Sequence, residues 1–358
     1  MTAQPIHDQV DALFGAFTRP GSPGCALGVM RDGQLVYKCG YGLANLEYDI
    51  PITPSTVFPV ASMSKQFTAM AVALLAEAGR LSLDDGIRRH LPQVPDFGDT
   101  ITIRHLIHHT SGLRSDPMLL ILAGWRLEDA ITSADMLDLI VRQRELNFPP
   151  GEQYAYSGAG YVLLAALVER VSGASLAQFC KEQIFEPLGM TRTHFHDDYL
   201  KLVKNRAYAY YAVGDNDYKN AVLTMSLVGG TGLYTSVEDL AYWDANFYTG
   251  RVGGPALIQQ LHQRGVLNDG QEIDYAFGHS WSRYKGLKVV EHAGGGPGIR
   301  CHMMRFPEVG LSVAVLGNNE TVDAVGLARQ VAGVYLVDIM QTKDVPTASA
   351  PPNKVDSS

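Results

Sequence analysis

Pro54-Ser55-Thr56-Val57-Phe58-Pro59-Val60-Ala61-Ser62-Met63-Ser64-Lys65-Gln66-Phe67-Thr68 is the stretch that decides how the rest of this chain is read. From its end onward, Phe67, Met70, Ala71, Leu74, Leu75 and Ala78 recur at helical spacing, and Gly79 is placed to end the helix. Ser62 falls at the start of that helix. Three residues make nearly one turn, so Ser62 and Lys65 project from the same face. At a helix start the free N–H groups and the helix dipole favour a developing anion. A serine hydroxyl becomes nucleophilic when a neighbour takes its proton, and a neutral lysine can do so. Free lysine titrates near ~10.4 and a base works best near pH ~7, so a site built on this pair must discharge the amine. That costs about 4 kcal/mol and calls for burial or a nearby cation.

The motif has a decoy, Ser282-Arg283-Tyr284-Lys285, which runs from a strand end into a turn and need not bring its side chains together. Upstream, Cys25 to Arg31 and Gln34 to Cys39 flank Asp32-Gly33 and predict a β-hairpin. A two-residue turn there sets Cys39 opposite Ala26 and Cys25 on the other face, so no disulfide is expected between them. Ile6, Val10, Leu13, Phe14 and Phe17 predict a helix before the hairpin.

The middle of the chain reads as mainly helical. Tyr161 to Val171 is stopped by Gly173, and Ser175 to Phe185 is closed by Pro187. Thr235 or Ser236 caps a further helix, with Glu238 and Asp239 in its first turn. The last third returns to strands: Tyr275 to Tyr284, Leu287 to His292, Arg300 to Phe306 and Leu311 to Leu316. Thr321 to Met340 predicts a C-terminal helix. The expected arrangement is α+β. An antiparallel sheet of five or more strands is flanked by helices from both ends, a mainly helical part is inserted, and a cleft lies between the two. The expected boundaries are 1–75 with 235–342 for the sheet part, 76–234 for the insertion, and 343–358 for a disordered tail rich in Pro, Ser, Ala and Thr.

Composition narrows the function. The net charge of −8 with no basic block argues against a nucleic-acid partner. No run approaches ~18 apolar residues, so no membrane span is expected. Met1 to Asp8 lacks a basic start and an apolar run, which predicts a cytoplasmic protein, and free thiols fit that compartment. His105, His108 and His109, and His194 and His196 beside Asp197 and Asp198, lack the motif support of a metal site, so neither metal nor cofactor is expected. No Gly-x-Ser-x-Gly elbow is present.

The quoted stretch resembles the nucleophile segment of the serine β-lactamase-like family of penicillin-recognising enzymes. That family includes class C β-lactamases, DD-peptidases, D-aminopeptidases and family VIII esterases. His109-Thr110-Ser111-Gly112-Leu113, Leu188-Gly189-Met190 and Gly229-Gly230-Thr231-Gly232-Leu233-Tyr234-Thr235-Ser236 resemble further signatures of the family. Tyr156-Ser157-Gly158 falls at its second catalytic motif, and Glu291-His292-Ala293-Gly294-Gly295-Gly296 resembles its third. The matches run in family order from about residue 23 to residue 318.

The resemblance implies the β-lactamase-like fold and a catalytic set of Ser62, Lys65, Tyr156 and His292. It also implies an oxyanion hole from the N–H groups of Ser62 and Gly295. Gly158, Gly294, Gly296 and Arg300 would line the substrate site. The family usually has Asn at the position of Gly158, where it touches the lysine and the substrate amide, and often lysine at His292. Both departures weaken the case for carboxylate-bearing β-lactams. The implied activity is a serine hydrolase acting on small esters, or on amides and peptides of the D-amino-acid type. An acyltransferase or a catalytically weak penicillin-binding-like protein on the same fold is the alternative. The partner is a small-molecule substrate, and the oligomeric state is left open.

Overall fold

The structure is a computed structural model that describes residues 3–126 and 128–343. Helix α1 (Ala3–Leu13) and a short 3₁₀ turn bury Val10 and Phe14 of the periodic apolar set, and Ile6, Leu13 and Phe17 are partly buried against the same cluster. Strands β1 (Cys25–Arg31) and β2 (Gln34–Tyr41) form the expected hairpin, with Asp32 and Gly33 both at positive φ as a tight turn requires. Its register differs from the expected one. A bulge between Val29 and Met30 shifts the pairing by one residue, so Cys39 lies opposite Leu27 and on the same face as Cys25. All four cysteines are free thiols.

Helix α2 (Lys65–Glu77) follows the Ser62 turn, and α3 (Asp116–Leu122) comes later in the helical part. Helix α4 (Gly158–Ser172) ends on Gly173 in the left-handed conformation, as expected. The segment expected as one helix is helical without a break from Leu176 to Leu188, with a π turn over Lys181–Phe185 between the α-helical stretches Leu176–Cys180 and Glu186–Leu188. Pro187 lies just past the π turn, and Gly189, in the left-handed conformation, ends the run. Ser236, not Thr235, caps α5 (Val237–Thr249) by accepting the Asp239 N–H.

The last third supplies β3 (Ser280–Tyr284), β4 (Leu287–Gly296), β5 (Ile299–Phe306) and β6 (Leu311–Gly317), then α6 (Ala324–Lys343). Tyr275 to His279 is not part of β3. Gly278 there adopts φ +77° and lies flat against the Lys65–Gln66 backbone, which leaves no room for a pleated strand. The tail expected to be disordered lies outside the described residues from 344 onward.

One antiparallel sheet of six strands results, in the order β3-β4-β5-β6-β1-β2. Its strands come from the two ends of the chain, and central β6 is buried along its whole length. One face packs Leu27, Val29, Val313 and Val315 against α1 and α6 through Val10, Phe14, Ala328 and Val331. The other packs Ala26, Met30, Met303 and Leu316 against α2, α5 and the helical part. Asp244 of α5 accepts from Arg305 and Ser312, which ties that helix to β5 and β6. Among the described residues no single helix is long and apolar enough to cross a membrane.

Candidate active site

Ser62 sits on a 3₁₀ turn, Ala61–Ser64, that runs directly into α2. From Thr56 to Ala73 every residue is buried except Ser62. A hydroxyl is thus presented to solvent from the middle of an apolar segment. Ala61 holds φ +44°, a conformation a non-glycine residue adopts only when its surroundings enforce it. The enforcement is visible. Ser64 Oγ donates to Ala61 O at 2.5 Å and accepts the Leu233 N–H at 3.0 Å, and Val60 N–H donates to Leu233 O. Ser64 of the motif therefore secures the turn, and the strand Leu233–Thr235 backs it.

Lys65 is 2 % exposed. Its Nζ donates to Ser62 Oγ at 3.1 Å and to Gly230 O at 2.8 Å, and lies 4.8 Å from the Tyr156 ring centre and 5.6 Å from that of Tyr161. Burial pushes its amine down to about 8, against the pull of the Asp116 carboxylate, which raises it. The discharge comes from desolvation alone. The nearby fixed charge is an anion and opposes it, where the sequence had left open a nearby cation.

Tyr156 precedes α4 and stands at the mouth of the cleft, 42 % exposed, with its hydroxyl end turned into the protein. Burial raises its phenol well above the usual range, and the Ser62 hydroxyl facing it works the other way. The phenol is therefore held protonated, a donor that can pass its proton only as another arrives. Ser62, Tyr156, Tyr275, His292, Gly294, Gly295 and Arg300 line one cleft of about 750 Å³.

His292 shares that cleft, but its hydrogen bonds do not go to Tyr156. Nδ1 meets Ala293 O at 2.6 Å and Nε2 meets the Tyr275 hydroxyl at 3.1 Å, while the Tyr156 ring stands 6.1 Å away, centre to centre. Burial, then the charge of Lys65, pushes the imidazole down to about 3, so it is neutral. Nδ1–H donates to the carbonyl and Nε2 accepts from Tyr275. His292 therefore makes no direct hydrogen bond to Tyr156, because both nitrogens are already engaged.

In β4 the inward positions are His292 and Gly294, and the outward ones are Ala293 and Gly295. A Cβ on Gly294 would lie 2.2 Å from Val60 O, so only glycine lets the strand approach the Ser62 turn this closely. Gly295 has room, and its nearest neighbour is Arg300 Nη1 at 3.7 Å. Arg300 pairs with Gly295 across β4 and β5 and donates from Nη1 to Gly296 O and Ile299 O, so its charge stays at the rim of the cleft. Gly296, beside Ile299, extends that rim.

Gly158 begins α4 and is buried. Its N–H donates to Asp116 Oδ1 at 2.9 Å. Sequence reasoning missed Asp116, Tyr275 and the lysine-binding carbonyl of Gly230. No spacing links them to Ser62, since each arrives by tertiary contact.

The arrangement can hold a hydroxyl nucleophile, a partly discharged amine and a protonated phenol around one substrate carbonyl. A model of the family described as Beta-lactamase matches residues 10–336. Penicillin-binding protein 4* of Bacillus subtilis (strain 168) is 34 % identical over 305 residues, 80 % of this chain and 66 % of its own length. A D-aminopeptidase of Gluconobacter oxydans (strain 621H) is 29 % identical over 327 residues, 91 % of this chain and 61 % of its own. The chain thus spans less than two thirds of the length of either relative. The structure of the octameric penicillin-binding protein homologue from Pyrococcus abyssi superposes with a TM-score of 0.81 at 26 % identity, covering 94 % of this chain and 78 % of that one. With its six-stranded sheet, its cleft-facing Ser62 and a match that spans nearly all the described residues, this chain belongs to the β-lactamase family.

Proposed function

We propose that the protein is a serine hydrolase acting through an acyl-serine intermediate on small esters, or on amides and peptides. The observation that carries this reading is Ser62, the one half-buried residue of an otherwise buried run, with the Lys65 amine 3.1 Å from its oxygen. Ser62 Oγ bonds to the substrate carbonyl carbon as neutral Lys65 takes its proton. The carbonyl oxygen becomes an oxyanion held by the N–H groups of Ser62 and Gly295. Tyr156 delivers a proton to the leaving alcohol or amine as the tetrahedral intermediate collapses, and is reprotonated through Lys65. Water then attacks the ester of Ser62 and releases the acid. His292, neutral and bonded to Tyr275, acts as a brace for the cleft wall. The D-aminopeptidase relative supports amides among the substrates. We read residues 1–75 with 235–342 as the sheet unit and 76–234 as the helical one, a division in keeping with a site at their junction.

A panel of p-nitrophenyl esters, D- and L-aminoacyl anilides and nitrocefin tests the reading. Ester or aminoacyl turnover is expected, with nitrocefin slowest, because Gly158 and His292 leave a β-lactam without its usual contacts. Rapid nitrocefin turnover with no ester or anilide cleavage would count against it. The pH profile is fixed in sign. Lysine is a base only when neutral, so kcat/KM should climb with pH through about 8, where Lys65 loses its proton. A profile that is flat from pH 6 to 9 contradicts Lys65 as the base.

A further inference from the structure

The His109–Leu113 segment lies along the loop that carries Tyr156. Gln153 to Ser157 belongs to no helix or strand, so no ladder of its own fixes the phenol. The support comes from the segment beside it. Asn147 N–H donates to Gly112 O at 2.8 Å, Gly151 N–H to Thr110 O at 2.8 Å, and Ser157 Oγ to Arg114 O at 3.2 Å. His109 adds two contacts, one on each side of Tyr156. Its carbonyl accepts the Ala155 N–H at 2.9 Å, and its Nδ1 accepts the Ser157 N–H at 3.2 Å. Its ring also packs on that of Tyr156, 4.3 Å centre to centre.

His109 is buried and takes φ +57°, a left-handed conformation uncommon for a residue with a side chain. Because Nδ1 accepts a backbone N–H it carries no proton, so the proton of the ring sits on Nε2. That atom is buried without a hydrogen-bond partner, among the rings of Tyr156, Tyr161 and Tyr275. A left-handed backbone and an unpaired buried donor persist where the surrounding fold over-determines them, and such places cluster at active sites. We propose that His109 is the positioning residue of Tyr156: it clasps the backbone on both sides of the phenol, packs on its ring, and so aims its hydroxyl at the leaving group. This rests on the serine-hydrolase reading above, in which Tyr156 gives up that proton.

The consequence is selective. Lys65 takes the Ser62 proton as the Oγ–carbon bond forms. The carbon–oxygen bond to the leaving group then breaks, and the Tyr156 proton goes to that oxygen. Nitrophenolate leaves as a stable anion without a proton, whereas ethoxide needs one. A misplaced phenol therefore slows acylation by an ethyl ester and spares acylation by the p-nitrophenyl ester of the same acid. Both esters give the same acyl-serine, so kcat/KM, which covers the steps up to it, isolates the difference. The ratio of the two values is also independent of how much of a sample is folded.

The test takes the p-nitrophenyl ester best cleaved in the panel above and the ethyl ester of the same acid through a double-mutant cycle. His109→Ala should lower kcat/KM on the ethyl ester about 10²-fold, the cost of a catalytic group misplaced by about 1 Å, and change it little on the p-nitrophenyl ester. In a Tyr156→Phe background the same substitution should leave the ratio where it stands, because His109 acts through the phenol. His109→Asn tolerates a positive φ and returns an acceptor for the Ser157 N–H, but brings no ring. Its ratio should fall between those of the parent and His109→Ala. If His109→Ala does not fold, His109→Asn carries the comparison alone, and a parental ratio in it overturns the proposal. Equal slowing of both esters by His109→Ala, or a shift in the ratio that persists in full beside Tyr156→Phe, also overturns it. If Tyr156→Phe itself leaves the parental ratio unchanged, the phenol is not the acid. The failure then lies in the reading above, and this inference falls with it.

Discussion

Lys65→Met should lower kcat/KM on a p-nitrophenyl ester by about 10²–10⁴-fold, the usual worth of a positioned general base, while the protein stays folded. Methionine matches the lysine stem in length and suits a site buried on every side. Two stability effects oppose one another. Removing the amine relieves the cost of a desolvated charge, and it leaves Gly230 O without its donor, a loss of about 1–3 kcal/mol. The melting temperature should therefore move little while activity collapses. Steady-state kinetics and thermal unfolding on the same sample check both halves. Near-parental activity in the variant would remove Lys65 from the mechanism.

Gly294→Ala should cost about 10²–10³-fold in kcat, comparable to the loss of one oxyanion donor. The added methyl would overlap Val60 O, which is backbone and cannot swing aside. Either β4 shifts outward or the Ser62 turn does, and both N–H donors belong to those two segments. Gly295→Ala is the control. It keeps its N–H and has open space, so it should fold normally and lose less activity. Measuring kcat for the pair, with unfolding curves to exclude gross damage, distinguishes misalignment from instability. Equal effects from the two substitutions would contradict the close approach of β4 to the nucleophile turn.

Local signals made much of this molecule legible in its sequence. Asp32-Gly33 between apolar runs gave the hairpin, and the run from Phe67 to Ala78 gave α2, because both patterns act over a few residues. What escaped depends on tertiary fit. The bulge that sets Cys39 beside Leu27 leaves no trace in composition. Tyr275 to His279 has the content of a strand, yet Gly278 must lie against the α2 backbone, and that packing prevails over propensity. Four strands return in the last third and bring the sheet to six, within the expected range.

The site divides in the same way. Ser62 and Lys65 follow from helical spacing, and Tyr156 and His292 from motif resemblance. The partners of His292 follow from neither, since Tyr275 and Ala293 O reach it only once the chain has folded. Asp116 was invisible for a related reason. The glycine at 158 reads as a missing side chain, and the structure shows the space occupied by a residue 42 positions earlier.

The most direct measurement is the mass of the intact protein after treatment with a fluorophosphonate, followed by peptide mapping. One adduct per chain, located on the peptide at residue 62 and absent from Ser62→Ala, is the predicted result. Labelling of the variant to the same extent as the parent, or an adduct mapped to another serine, would contradict the assignment of the nucleophile.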